Sequence, residues 1–203
     1  MINTIKVTAS LLVVMVALLL PGGAKAQFQV NVTGNYLGPA ESGSSFSDGP
    51  WGGGVTLRYF VSPNLAVGLN GRYFSSNGSA NFDFGSGAGI GASGSVKASA
   101  NLLAVTGQAE YFFSESALRP YVGIEAGLYR AAGTVEISDG FNTIKASESA
   151  NNFGVAPKVG LQYAISPAFG VNADAGYHIV FSDGDTSKFL LLGAGVYFTF
   201  GQR

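Results

Sequence analysis

His178 is the only histidine in the chain, and Asp174 shares its face on an alternating segment. An imidazole oriented by a carboxylate is the centre of general-base chemistry. Four residues along an extended strand, however, span roughly 13 Å, against the roughly 3 Å such a pair needs. Asn172 and Ser182 add no nucleophile arrangement beside them. The chain has no cysteine, so it offers no thiolate nucleophile, soft metal ligand or disulfide framework. Gly85 to Gly91 is glycine-rich, but no helix follows to complete a phosphate cradle. Asp48, Asp83, Asp139, Asp183 and Asp185 read first as turn residues, with at most a weak pull on divalent or lipopolysaccharide-bound cations. The expectation is a protein without catalytic, cofactor or metal residues. Its charge chemistry lies elsewhere, in Arg58, Arg72, Glu110, Glu125, Lys158 and Asp174, joined by His178 as a polar network.

Those residues sit on a recurrent element. Residues 1–26 read as a cleaved signal peptide: Lys6, the apolar run Val7 to Leu20, the breaker Pro21-Gly22-Gly23 and an Ala24-Lys25-Ala26 cleavage site. The rest, 27–203, is expected to be one domain, and its period is 2 rather than 3.6. Phe28, Val30, Val32 and Tyr36 take one face of the first segment; Gln27, Gln29, Asn31, Thr33 and Asn35 take the other. Eight such segments fall at about 27–37, 51–60, 65–74, 99–113, 119–130, 151–163, 169–181 and 188–200. Connections after the second, fourth and sixth are short; those after the first, third and fifth are long. Leu57-x-Tyr59-x-x-Ser62-Pro63-x-Leu65-x-Val67 recurs as Leu161-x-Tyr163-x-x-Ser166-Pro167-x-Phe169-x-Val171, which points to stacked hairpins.

The charges decide which medium lies on which side. Each of the six falls on the face opposite the large apolar residues of its own segment: Arg58 against Leu57 and Tyr59, Arg72 against Leu69 and Tyr73, Glu110 against Val105 and Tyr111. Glu125 opposes Ile124 and Leu128, Lys158 opposes Val159 and Leu161, and Asp174 opposes Val171 and Tyr177. Only 11% of the residues are charged, too few to make the polar face a soluble surface, which usually carries roughly 25–35%. With the apolar face outward the pattern is that of a membrane barrel, apolar to lipid and polar to the lumen. A bilayer also requires every strand group to be paired, so the sheet must close. The expected fold is all-β: an eight-stranded antiparallel up-and-down transmembrane β-barrel. Lys158 and Asp174 are expected to face each other across the sixth and seventh strands, and Arg58 to meet Glu110 across the lumen.

Tyr59, Tyr111, Phe113, Tyr163, Phe169 and Phe200 lie beside the short turns, as a periplasmic-side aromatic girdle would. Tyr36, Trp51, Tyr73, Phe153, Tyr177 and Phe181 form a second band towards the long connections. Within these, Val135 to Ile144 alternates around Asp139-Gly140, a hairpin signal. Asn81 to Phe84 and Ser93 to Ser99 alternate around the glycine-rich stretch. Some strands are therefore expected to run on past the bilayer into a protruding sheet able to pair with other proteins through loops 75–98 and 131–150.

With its alternating strands, its Ser62-Pro63 and Ser166-Pro167 hairpins and its closing strand Val196-Tyr197-Phe198-Thr199-Phe200, the chain resembles the small eight-stranded bacterial outer-membrane barrels of the OmpA/OmpX type, the opacity-protein-like porin family. The resemblance implies an outer-membrane location, contact with lipid and lipopolysaccharide, and insertion by the barrel-assembly machinery, which reads a terminal aromatic. Phe200 stands near that place, although Gly201-Gln202-Arg203 follow it. A near-neutral chain, net charge -1, has no basic footprint for nucleic acid. The leading functional expectation is a plugged barrel with a structural or surface-interaction role. Its rivals are a narrow channel for small or apolar solutes, signalled by pairing gaps near Pro157, and a secreted soluble lipocalin-like barrel.

Overall fold

The structure is a computed structural model that describes residues 27–39, 49–84, 92–138, 142–182 and 184–201. The signal-peptide reading of 1–26, the glycine-rich stretch 85–91, and Asp48, Asp139 and Asp183 fall outside the described residues. Eight strands follow one another: β1 (Gln27–Pro39), β2 (Trp51–Ser62), β3 (Leu65–Phe84), β4 (Ala92–Phe112), β5 (Leu118–Ser138), β6 (Thr143–Ala164), β7 (Phe169–Ser182) and β8 (Asp185–Phe200). Each pairs antiparallel with its neighbour, and β1 pairs with β8 from Phe28↔Phe200 to Pro39↔Phe189, closing the ring. Closure removes the sheet edge that lipid would not tolerate. At the tight β7–β8 turn Gly184 takes φ 91°, a conformation that a side chain would strain.

The two faces of the ring differ sharply. Leu57, Leu69, Val105, Ile124, Val159 and Val171 are exposed on the outside. Their strand neighbours Thr56, Arg58, Asn70, Thr106, Glu125, Lys158 and Asn172 are buried inside. Tyr111, Phe113, Tyr163 and Phe200 are exposed at the short-turn end, with Tyr59 and Phe169 half-buried beside them. At the other end Trp51, Tyr73, Phe153, Tyr177 and Phe181 are exposed. Tyr36 is the exception: its hydroxyl accepts from Gly49 N at 3.0 Å and its ring packs 5.2 Å from Trp51, so it is buried.

Strands β3 to β6 have 20, 21, 21 and 22 residues, against 12 to 16 for the other four. β2 stops pairing with β3 at Phe74, and β7 stops pairing with β6 at Phe153. Beyond those points β3–β6 continue together as a four-stranded sheet, closed by Phe84↔Ala92 and Ser138↔Thr143. The extension is roughly ten residues, about 30 Å along a strand. The strands therefore run past the segment ends near residues 74, 99, 130 and 151 and into the protruding sheet that the alternation at 81–84, 93–99 and 135–144 predicts. The reason is a change of phase. On the outward positions the apolar belt ends at Tyr73, Leu103, Leu128 and Phe153, and the next outward residues are Ser75, Asn101, Arg130 and Asn151. Further up, that face carries Asn77, Ser79, Lys97, Ser99, Thr134, Glu136, Lys145 and Ser147, while Val96, Ala98, Val135, Ile137 and Ile144 take the axis side. The register is constant along all three ladders, so no bulge rotates the strands. The sequence itself exchanges its polar and apolar faces.

Candidate functional site

The lumen is filled in three layers. At the short-turn end Phe60, Ala66, Phe112 and Tyr121 form an apolar floor. Arg119 lies over it, its guanidinium carbon 5.0 Å from the Phe60 ring centre and 4.6 Å from that of Phe112. It donates to the carbonyls of Pro63 (2.6 Å) and Ser114 (3.1 Å), tying two short turns together.

The middle layer holds the charges. Arg58 on β2 grips Glu110 on β4 from two nitrogens, at 2.5 and 3.0 Å. Arg72 on β3 grips Glu125 on β5 likewise, at 2.6 and 2.9 Å. Lys158 on β6 joins the pairs, with Nζ 2.6 Å from Glu110 and 3.0 Å from Glu125, and donates to Gln108 Oε1 at 3.0 Å. Asn70 and Thr106 also donate to Glu125. Gln29 Oε1 receives Arg58 at 3.3 Å and Gln162 at 2.9 Å. Such bidentate, doubly bridged geometry is what lets ionised groups stay paired away from water. These contacts join β1 to β6 across the lumen, in addition to the backbone ladders.

Above the charges the lining turns apolar again. Tyr129 OH and His178 Nδ1 are 2.8 Å apart, His178 stacks on Phe189 at 5.0 Å, and Ala104, Val180 and Leu102 pack around them.

Stacked one on another, these layers make the interior that of a narrow eight-stranded cylinder filled by its own side chains. The sequence matches the outer membrane protein beta-barrel domain family over residues 8–200. The chain belongs to that family. No curated protein matches it. Among solved structures, it is similar to Neisserial surface protein A (14% identity, 89% of this chain and 100% of that one, TM-score 0.51). A major outer membrane protein of Thermus thermophilus is similar to the same degree (16%, 86% and 99%, TM-score 0.51). The attachment invasion locus protein Ail of Yersinia pestis matches at 19% identity, 86% and 97% coverage and a TM-score of 0.46. At these identities the structural likeness carries the fold alone: a closed, eight-stranded outer-membrane barrel.

Within this outer-membrane barrel, Arg58, Glu110, Arg72, Glu125 and Lys158 converge on one network. Asp174 stands apart from it. Lys158 pairs in register with Gly176, and its ammonium turns towards the two glutamates. Asp174 lies opposite Gly160, within 3.4 Å of Tyr121 OH and 3.5 Å of Asn172 Nδ2. The expected Lys158–Asp174 pairing is therefore corrected: a long flexible cation is drawn to two buried carboxylates rather than to the nearest acid on the next strand. His178 is held by Tyr129, not by Asp174. Among the described residues no group of three or more His, Cys, Asp or Glu side chains is placed to hold a metal ion. Sequence reasoning missed Arg119 and the aromatics Phe60, Phe112, Tyr121 and Tyr129. A signal was present, because all five share strand parity with the lumen charges.

Proposed function

We propose that this protein is a surface-contact barrel rather than an open pore or an enzyme. A cylinder held shut by paired charges presents the β3–β6 sheet to the cell exterior. The observation that carries the reading is the sheet itself. Among the described residues, 75–84 of β3 and 143–152 of β6 have no strand partner on their outer sides. Free edges of this kind accept an added strand from another chain, so the partners are extended segments of surface or matrix proteins. Arg130 and Lys188, just above the apolar belt and facing outward, suit the phosphates of lipopolysaccharide. Export by the 1–26 segment and insertion through the assembly machinery, with Phe200 as the closing aromatic, belong to the same reading.

The test compares cells carrying the full chain with cells carrying a variant in which 75–98 and 131–150 are replaced by short turns. Both proteins should show heat-modifiable gel migration, and the trimmed one should lose most cell-to-matrix contact. Equal contact would overturn the reading. In planar bilayers the purified barrel should be electrically silent; a steady, ion-selective conductance would overturn the plug. One observation favours lateral passage of apolar solutes instead: the β6–β7 ladder skips Ala156 and Pro157. The register is unchanged on either side, at Val155↔Ile179 and Lys158↔Gly176, so the skip does not shift the strands. A cross-link between β6 and β7 that blocked solute uptake would favour that second reading.

A further inference from the structure

The exchange of faces leaves the projecting sheet with an apolar side open to water. Val135, Ile137 and Ile144 lie on the axis side and are 44%, 51% and 70% exposed. Val96, Ala98 and Ala146 share that side. An exposed apolar face of this kind marks an interface. Its form is set by the ring below, because β3–β6 prolong four adjacent strands of eight, half of the circumference. A half tube with apolar side chains towards its axis, and with Lys97, Glu136, Lys145 and Ser147 towards water, has the pattern of half a water-soluble β-barrel. Four more strands would complete it.

The direction of the two free edges decides what can supply them. β3 runs up from a short turn, and β6 runs down to one. A second copy can be turned end over end, about a two-fold axis that crosses the tube at right angles. Its β3 then runs down beside β3, and its β6 runs up beside β6. Both seams are antiparallel. The order β3-β4-β5-β6, followed by β6-β5-β4-β3 of the second copy, closes on itself and leaves no edge. Each half tube stands above the shorter strands β1, β2, β7 and β8 of the other copy. The edges 75–84 and 143–152 give each copy about 20 seam residues, against the roughly 20–30 a side of stable interfaces. Copies in one membrane point the same way and cannot pair like this. We propose that the sheet's partner is a second copy of this chain, inverted on a facing membrane, the two half tubes closing into one eight-stranded barrel between the cells. This rests on the surface-contact reading above and narrows its partner to the chain itself.

Two cell populations of different fluorescence carry the full chain with different epitope tags. Mixed clumps should form when both carry it, and not with cells that lack it. Ile137→Lys combined with Ile144→Lys puts charges inside the closed tube and should cut mixed clumping by about tenfold or more. Thr134→Lys, on the outward face, should leave it unchanged. The chain has no cysteine, so Ser147→Cys reports the β6 seam alone, and a short thiol cross-linker should join the two tags. Glu148→Gln removes the like charges that the copies bring to that seam and should strengthen clumping. Retained heat-modifiable migration shows that each variant is folded. Mixed clumps with cells that lack the chain, cross-links only between copies of one tag, or equal clumping in the double-lysine and Thr134→Lys variants would overturn the proposal. So would weaker clumping in Glu148→Gln. Matrix contact, measured separately, tells the two readings apart. If it persists without mixed clumping, the self-partner alone falls; if both are absent, the surface-contact reading falls with it.

Discussion

The lower and upper halves of β5 obey the same geometry and opposite chemistry. From Leu118 to Leu128 the outward residues Val122, Ile124 and Leu128 are apolar, and Arg119 and Glu125 point inward. From Arg130 to Ser138 the outward residues Thr134 and Glu136 are polar, and Val135 and Ile137 take the other face. Pairing with β4 and β6 keeps one register through both halves. The period of a strand therefore reports that it is a strand, while its phase reports the solvent. Where lipid surrounds the ring, apolar side chains go out; where water does, they turn back towards the axis. The charges follow the same division. Below, Arg58, Arg72, Lys158, Glu110 and Glu125 are buried and paired with distances of 2.5–3.0 Å. Above, Lys97, Glu136 and Lys145 stand opposite one another in a cross-strand row, the two lysines exposed and Glu136 half-buried between them.

The largest break in this comparison should come from removing one cation at each level. Lys158→Met leaves Glu110 and Glu125 each short of a partner inside the lumen. A buried charge stripped of its partner costs about 3–5 kcal/mol. Lys145→Met, in the cross-strand row, should cost no more than about 0.5 kcal/mol. Urea unfolding in lipid vesicles, followed by heat-modifiable migration, reads both. Lys158→Met combined with Glu110→Gln should recover part of the loss, which a mere packing defect would not.

Next in size is the outward face of β5 itself. Ile124→Arg puts a cation into the apolar belt and should cost about 2–4 kcal/mol in vesicles. Thr134→Arg, on the same face of the same strand, should be close to neutral. The contrast sharpens the position of the lipid boundary, which the change from Leu128 to Arg130 places between those two residues. Equal effects would mean that both positions meet the same medium.

Much of this was legible because strand parity is a local property. Arg58 beside Leu57, or Glu125 beside Ile124, is separated from its apolar neighbours by one residue, and a sheet that must bury charge decides the rest. The closing of eight strands into a ring followed from the same alternation. Partner choice was not legible, because Lys158 reaches Glu110 and Glu125 through the lumen, a path absent from any linear or ladder distance. The length of β3–β6 was only half legible. Tracking a single apolar face loses each strand at Tyr73, Leu103, Leu128 and Phe153, where the phase exchanges, although the alternation around Asp139-Gly140 continues. The aromatic floor was hidden for a different reason: residue type does not assign Phe60, Phe112 and Tyr121 to either face, and only their parity with Arg58, Glu110 and Arg119 puts them in the lumen.

The smallest contrast concerns packing rather than charge. A methyl group on Gly160 would run into the ring of Tyr121, whereas one on Gly133, in the projecting sheet, would meet only the Ser99 carbonyl oxygen, at 4.0 Å. Tyr121 is itself confined, with its ring 4.9 Å from Phe112 and its hydroxyl between Arg58 and Asp174. It cannot turn aside without disturbing the floor or the charged layer. Gly160→Ala should therefore destabilise the barrel by about 1–3 kcal/mol, the usual cost of overpacking a filled interior. Gly133→Ala should be neutral or slightly stabilising, since it removes chain freedom from the unfolded state without a clash. Both are read by the same urea titration. If Gly160→Ala proved harmless, the lumen would have room to spare, and the filled cylinder on which the plugged reading rests would have to be given up.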